Sequence, residues 1–334
     1  TCPVYIAEIA PASIRGSMVS CNQFAIIFGQ LAVYFSNMII RSGLADTPDL
    51  IQFAMPETGW RRMFLSEIYP VAFFGILLLL LPKSPRYLIL NGDQRHAVKI
   101  LSRIHGESRA KEMVTEIKST VAGREEKLFS YGAKVILIGL MLSVFQQAVG
   151  INALLYYAPR IFQDMGSGTE ASMTQTVIMG VVNIIFTIVA ATVIDKIGRR
   201  PLLIKGAIGM AACMGILSIL SFFGIVGLTT TIIIVAYSAI FMVSWGPAYW
   251  VLISEIFPTT IRSKAVAIVV TVQWITNCVV SITFPSLSGW SLPATFLAFG
   301  TVSAAASLFV RRYVPETKGM TLEDIAESWK SQAK

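Results

Sequence analysis

Residues 145–157 read Phe-Gln-Gln-Ala-Val-Gly-Ile-Asn-Ala-Leu-Leu-Tyr-Tyr, within an apolar run over about 135–159 that is long enough to cross a bilayer. Three side-chain amides in such a run have no water to satisfy them, and each unsatisfied polar group costs several kcal/mol in hydrocarbon. On an ideal helix Gln146 and Gln147 point away from Asn152 and Tyr156. Because Gly150 lies between the two pairs, the helix can break there at little cost. We therefore predict a discontinuous span whose polar groups line one cavity.

The chemistry of these groups favours a neutral ligand that is rich in hydroxyls. Amides donate and accept hydrogen bonds but carry no charge. The alternative is that they bond neighbouring helices to each other, as a single buried Gln commonly does. The ligand interpretation is preferred because three amides and a Tyr surround one Gly.

The composition indicates an all-α polytopic membrane protein. Of the 334 residues, 54% are hydrophobic and 14% are charged, and the mean hydropathy is +0.67. The four cysteines have no CxxC spacing, so we expect neither a disulfide framework nor a metal site. No motif indicates a cofactor.

The distribution of positive charge predicts the topology. The chain carries a net charge of +8, and eight apolar segments lie at about 18–40, 63–81, 135–159, 173–194, 202–224, 229–254, 265–287 and 291–310. If alternate connections face opposite sides, all but four of the 27 Lys and Arg residues fall on one side; the exceptions are Arg41, Arg61, Arg62 and Arg160. We therefore expect a multi-pass protein of the plasma (inner) membrane, with the 83–130 loop and the C-terminus cytoplasmic and no affinity for nucleic acid.

An internal repeat indicates two related halves. The frame Glu-Ile-x-Pro-x-x-Ile-Arg occurs at 8–15 and again at 255–262, and Pro82–Arg86 corresponds to Pro315–Gly319. Four spans precede the second frame within its half, whereas the first frame lacks them. We expect a segment with about eight of twelve helices, which on its own does not transport. The expected domains are 1–82 (remnant of the N-terminal half), 83–130 (cytoplasmic helical linker), 131–313 (C-terminal six-helix half) and 314–334 (cytoplasmic tail).

Two later spans also carry polar or aromatic groups. The Gly246-Pro247 pair predicts a mid-span kink that places Trp250 at bilayer depth, and Gln273, Trp274 and Asn277 follow on the next span. Trp faces stack on pyranose rings, and the indole N–H donates to hydroxyls.

These motifs resemble the sugar porter family of the major facilitator superfamily over the whole chain: Glu-x-x-Pro-x-x-x-Arg, Asp-Lys-x-Gly-Arg-Arg, Pro-x-Ser-Pro-Arg, Gln-Gln-x-x-Gly-Ile-Asn and Pro-Glu-Thr-Lys-Gly. Within the family, the chain resembles bacterial members that take up D-xylose with protons. The resemblance implies hydrogen bonds to sugar from Gln23, Gln146, Gln147, Asn152, Trp250 and Gln273. It places four further residues nearby: Tyr156, Asn183, Gly246 and Trp274. It also implies a cytoplasmic gating network of salt bridges formed by Glu8, Arg15, Asp195, Arg199, Arg200, Glu255, Arg262 and Glu316.

Two residues depart from the family pattern: Lys83 replaces an acid, and Ser263 replaces a Gly. The resemblance implies transport of a pentose or hexose by a monomer in the lipid bilayer, with protons as the coupling ion. A facilitative uniporter and a non-transporting sugar sensor remain as alternatives, although the short tail after Gly319 disfavours a sensor. An enzyme is disfavoured because the spans hold no paired acids, His cluster or nucleophile–base pair.

Overall fold

The computed structural model describes residues 5–6, 15–45, 60–122, 128–164, 166, 168–258, 260–318, 325 and 328–329. Within these residues the chain is almost entirely helical and contains no strand. In chain order the helices are α1 (Arg15–Ala45), α2 (Trp60–Ser66), α3 (Ile68–Leu80), α4 (Pro85–Leu90), α5 (Gln94–His105), α6 (Glu107–Ala122), α7 (Ala133–Ala148), α8 (Ile151–Tyr156), α9 (Ala158–Asp164), α10 (Thr169–Ile197), α11 (Arg199–Phe222), α12 (Leu228–Val243), α13 (Trp245–Ile256), α14 (Arg262–Trp290) and α15 (Leu292–Tyr313).

Eight helical stretches in the described part are long and apolar enough to cross a membrane. They are Gln23–Ile40, Trp60–Leu80, Ala133–Tyr156, Ala171–Ile194, Arg199–Phe222, Leu228–Ile256, Arg262–Trp290 and Leu292–Tyr313. Each coincides with one of the apolar segments found in the sequence. The all-α polytopic fold is therefore confirmed.

The chain divides into two compact units. The N-terminal unit comprises residues 1–18 and 25–122, and the C-terminal unit comprises residues 19–24 and 123–334.

The N-terminal unit contains a small cluster of three amphipathic helices, α4, α5 and α6. Its buried core is formed by Leu88, Ile89, Ala97, Leu101, Ala110 and Val114. The carboxylate of Asp93 begins α5 by accepting from the backbone N–H of His96, and it also bonds the His96 ring, which lowers the pKa of Asp93. Helix α3 has no buried residue, as expected for a span whose side chains face apolar surroundings.

The C-terminal unit is a bundle in which α11 packs along α15, α7 along α14, and α12 against both α10 and α11. Small residues permit these close crossings. A Cβ on Gly300 of α15 would lie only 3.2 Å from Cβ of Met214 on α11. Beyond α15, Ile325 and Trp329 are buried, and the indole Nε1 of Trp329 donates to the carbonyl of Ile256 at 3.1 Å.

Candidate functional site

The membrane span that carries the amides is broken at Gly150, as predicted. Helix α7 ends at Ala148 and α8 begins at Ile151, while Gly150 has φ +91°, in the left-handed region. A Cβ at this position would lie 2.7 Å from three ring atoms of Phe299. Both the backbone conformation and the close ring therefore require glycine.

A buried tyrosine satisfies one of the backbone groups that the break releases. The carbonyl of Val149 has no helical partner in α8, and it accepts from the hydroxyl of Tyr237 at 2.7 Å. Tyr237 is fully buried on α12. Tyr237 thus stabilises the broken backbone from a neighbouring helix.

The amides on either side of the break meet, as the sequence predicts. Nδ2 of Asn152 donates to Oε1 of Gln147 at 2.7 Å and to Oδ1 of Asn277 at 3.1 Å. Nδ2 of Asn277 in turn lies 3.5 Å from the hydroxyl of Tyr156. Both hydrogens of the Asn152 amide are engaged, so Asn152 presents its carbonyl oxygen and Gln147 its amide N–H groups.

A second set of hydrogen-bonded side chains connects α7, α13 and α14. Nε2 of Gln273 donates to Oε1 of Gln146 at 2.8 Å. Oε1 of Gln273 lies 3.4 Å from the hydroxyl of Tyr249, which lies 2.8 Å from Oγ of Ser143. These four side chains are all buried, and together they connect residues that are more than 100 positions apart in sequence.

The remaining predicted sugar contacts have different degrees of exposure. Gln23 is 7% exposed, and a Cβ on Gly246 would lie 3.5 Å from its Nε2 atom. Oδ1 of Asn183 is buried and accepts no hydrogen bond from the described residues. Trp250 is half-buried with its ring edge-on to Tyr249 at 5.3 Å, whereas Trp274 is 55% exposed.

A second span is interrupted at Ser244, three residues before its proline, Pro247. Helix α12 ends at Val243 and α13 begins at Trp245, with Ser244 at φ −112° and ψ −86° between them. Pro247 lacks an N–H and its ring would clash with the carbonyl of Val243, so the chain departs from the helix one turn earlier. The kink predicted at Gly246-Pro247 is therefore present, but it is centred on Ser244.

Two of the predicted gating residues form an ion pair where α11 begins and α13 ends. Nη2 of Arg199 lies 3.1 Å from Oε1 of Glu255, and the hydroxyl of Thr317 donates to Oε2 of Glu255 at 2.6 Å. The ion pair joins the start of α11 to the end of α13, and Thr317 adds the segment after α15.

Glu316 binds backbone N–H groups at the start of α11. Its carboxylate accepts from the N–H groups of Arg199 and Arg200 at 3.1 Å, and from those of Thr317 and Lys318 at 3.0 Å. A carboxylate here stabilises the positive end of the helix dipole. A Cβ on the preceding Gly198 would lie 2.8 Å from Oε2 of Glu316, so only glycine allows this approach.

The other predicted gating residues donate hydrogen bonds to backbone carbonyls, or their side chains are not among those the structure describes. Nη2 of Arg200 donates to the carbonyl of Arg311 at 2.7 Å, and Nε of Arg262 to that of Phe257 at 3.1 Å. Glu8 lies outside the described residues. For Arg15 and Asp195 only the backbone is described, so their place in the network stays a prediction.

The sequence reasoning missed several members of the site. Asn277 stood out as a polar group in an apolar span but was not assigned to the sugar contacts. Tyr237, Tyr249 and Ser143 gave no signal, because a Tyr or Ser in a span is ordinary and their partners lie on distant helices. Thr317 lies within the Pro315–Gly319 motif that the repeat had indicated, but its bond to Glu255 depends on the tertiary fold.

A helical membrane bundle with two broken spans, an uncharged amide cluster at one of the breaks and charged contacts joining helix ends is typical of a polytopic membrane transporter. Residues 1–329 match the family model described as sugar (and other) transporter. The chain belongs to this sugar transporter family.

Several relatives and solved structures are similar over nearly the whole chain. The D-xylose-proton symporter of Escherichia coli (strain K12) is 45% identical, over 99% of this chain and 68% of the relative. The glucose facilitated diffusion protein of Zymomonas mobilis is 40% identical, over 99% and 71% respectively. A structure of a proton:xylose symporter of the major facilitator superfamily, bound to 6-bromo-6-deoxy-D-glucose, superposes with a TM-score of 0.84 at 44% identity and covers 98% of this chain and 70% of that one.

Proposed function

We propose that the protein carries a monosaccharide, a pentose such as xylose or a hexose, across the plasma (inner) membrane by alternating access, with protons as the coupling ion. The observation that supports this most is the amide cluster around Gly150. It presents N–H donors from Gln146 and Gln147 and a carbonyl acceptor from Asn152, with no charged group among them. Sugar hydroxyls both donate and accept, so they match such an alternating surface.

The proposed sugar contacts are the residues that the resemblance implied. They are Gln23, Gln146, Gln147, Asn152, Trp250 and Gln273, with Tyr156, Asn183, Gly246 and Trp274 nearby. The buried carbonyl oxygen of Asn183 supports a ligand role over mere helix packing, because a buried acceptor without a donor is costly unless a ligand hydroxyl satisfies it.

Proton coupling is supported by two relatives whose names include it, the E. coli D-xylose-proton symporter and the arabinose-proton symporter of Bacillus subtilis. The latter is 38% identical over 97% of this chain and 70% of the relative. Facilitated diffusion is the second candidate, because the Zymomonas mobilis relative is named for it. The basic side of the bundle, including the C-terminus, is proposed to face the cytoplasm. We propose a monomer, gated at that side by contacts such as Arg199–Glu255 and the Glu316 cap.

The binding site is tested by calorimetric titration of the purified protein with D-xylose, D-glucose and L-arabinose. Wild type should bind at least one of them saturably. Asn152→Ala should weaken the binding of that sugar by about 1–3 kcal/mol. The substitution removes one hydrogen-bonding group from the site and leaves the side-chain carbonyls of Gln147 and Asn277 without their donor. Gln163→Ala is the control, since Gln163 bonds Ser172 away from the cluster. Equal affinities for wild type and Asn152→Ala would remove Asn152 from the site, and no binding of any monosaccharide would refute the proposal.

The coupling is tested with the gene product as the cell makes it, reconstituted in proteoliposomes that contain a pH-sensitive dye. The 334-residue chain alone is reconstituted in parallel, to test the expectation that it does not transport. Sugar added outside should acidify the lumen, and an uncoupler should abolish accumulation against a gradient. Saturable sugar entry with no proton movement would instead establish the uniporter.

A further inference from the structure

The hydroxyl of Tyr249 has one proton and two acceptors within reach. It lies 2.8 Å from Oγ of Ser143 and 3.4 Å from Oε1 of Gln273. Tyr249 is 1% exposed, and all three side chains are buried. Of the described neighbours, these two oxygens are the ones within hydrogen-bond reach of the hydroxyl, so its single proton is directed to one or the other.

Ser143 makes the two choices interdependent. Its own hydroxyl lies 2.9 Å from the carbonyl of Gly139, one turn earlier on α7. When Ser143 donates to Gly139, it can only accept from Tyr249. When Ser143 donates to Tyr249 instead, the tyrosine proton is free to bond Gln273. The pair of hydroxyls therefore has two proton arrangements, and only the second fixes the Gln273 carbonyl.

The orientation of Gln273 determines what its partner offers to a ligand. In the structure Oε1 of Gln273 faces Tyr249 and Nε2 donates to Oε1 of Gln146 at 2.8 Å. Gln146 then keeps both amide hydrogens for a ligand. If both amides turned over, Gln273 would donate to the tyrosine oxygen, Gln146 would donate to Gln273, and Gln146 would present a carbonyl. The two arrangements have opposite hydrogen-bonding polarity at the same place.

We propose that Tyr249 is a positioning residue for sugar specificity: by donating to Gln273, it holds the Gln273–Gln146 pair so that Gln146 presents N–H donors to one sugar hydroxyl. Tyr249 acts through Gln273 and does not touch the sugar. This inference rests on the proposed sugar site. According to this inference, Tyr249 determines whether Gln146 donates a hydrogen bond to the sugar hydroxyl or accepts one from it.

The test is Tyr249→Phe with a set of monofluoro analogues of whichever sugar, D-xylose or D-glucose, wild type binds. Fluorine can accept weakly but cannot donate, so an analogue fluorinated at the hydroxyl that faces Gln146 should bind wild type within about threefold of the parent sugar. In Tyr249→Phe nothing holds the Gln273 carbonyl, so the amide pair can turn over and Gln146 can accept a hydrogen bond from the parent hydroxyl. An analogue that cannot donate gains nothing from this arrangement, so it should become weaker relative to the parent, by up to about tenfold. Analogues at the other positions should keep their wild-type ratios.

Two further variants and a melting curve complete the design. Ser143→Ala leaves Gln273 as the acceptor of the tyrosine proton, so the fluorine tolerance should persist even if Tyr249→Phe fails to fold; a loss of tolerance in Ser143→Ala would overturn the inference. Tyr131→Phe removes a hydroxyl that bonds Thr260 away from the cluster, and it should change no ratio. If Tyr249→Phe melts like wild type and binds the parent sugar, yet keeps every fluoro ratio, Tyr249 has no positioning role. Absence of sugar binding in wild type would refute the proposed function itself.

Discussion

Gly150 is the residue whose replacement should have the largest local effect. Gly150→Ala adds a Cβ at φ +91° and 2.7 Å from the Phe299 ring, so strain and overlap act together. We expect a loss of about 1–3 kcal/mol in stability and a lower melting temperature in detergent. Gly215→Ala is the matched control: a Cβ there meets nothing within 4 Å on helix α11, so the variant should melt at or slightly above the wild-type temperature. Equal melting of both variants would show that the break tolerates a side chain.

Trp250 lies edge-on to Tyr249, whose hydroxyl contacts the amide of Gln273, and a sugar ring can stack on the face of Trp250. Trp250→Phe should keep sugar affinity within about threefold, whereas Trp250→Ala should lose about 1 kcal/mol or more. Titration followed by tryptophan fluorescence measures both, and sugar should quench the wild-type signal. Trp290→Ala serves as the control because Trp290 is 80% exposed at the end of α14. Absence of quenching in wild type would exclude stacking at Trp250.

At the scale of the helix, local chemistry could be predicted from the sequence and tertiary partners could not. The break at Gly150 follows from a glycine between polar groups. The buried face of α6 follows the helical repeat, since Ala110 and Val114 lie four residues apart and both are buried. The break at Ser244 was misplaced by a few residues, because the clash of Pro247 acts on the preceding turn.

The hydrogen bonds between distant helices of the site could not be predicted from the sequence pattern. The sequence shows which face of a helix is polar, but the Gln146–Gln273 bond joins residues 127 apart, and its existence depends on how α7 and α14 pack. Glu316 shows the same limit. The resemblance implied that Glu316 belongs to the gating network, yet its described contacts include backbone N–H groups of α11, which a sequence motif does not reveal.

The Glu316 cap predicts a specific order of stability. Glu316→Ala removes an acceptor from four N–H groups and should cost about 1–3 kcal/mol, whereas Glu316→Gln keeps one oxygen and should cost less. Thermal melting and hydrogen exchange at the first turn of α11 measure the loss. Glu107→Ala, at the exposed start of α6, is the control. If the Ala and Gln variants exchange at the wild-type rate, the cap does not stabilise α11.

For the whole molecule, charge distribution predicts which side each connection faces. A single Cys introduced at Ser102 in α5 should react with a membrane-impermeant thiol reagent only from the cytoplasmic side, and one at Gly168 only from the outside. The assay compares intact cells with inverted vesicles, in a background from which all four native cysteines, Cys2, Cys21, Cys213 and Cys278, have been replaced. That background protein is the negative control. Labelling of both positions from one side would contradict the proposed topology.

The anchored indole of Trp329 has a practical consequence for anyone handling this protein. Because its Nε1 donates to the carbonyl of Ile256 at the end of α13, a truncation or cleavage site placed upstream of Trp329 would leave that carbonyl without its donor. Ile256 lies next to Glu255, which pairs with Arg199. Affinity tags and fluorescent fusions therefore belong downstream of this side chain, with a spacer that leaves the ring seated.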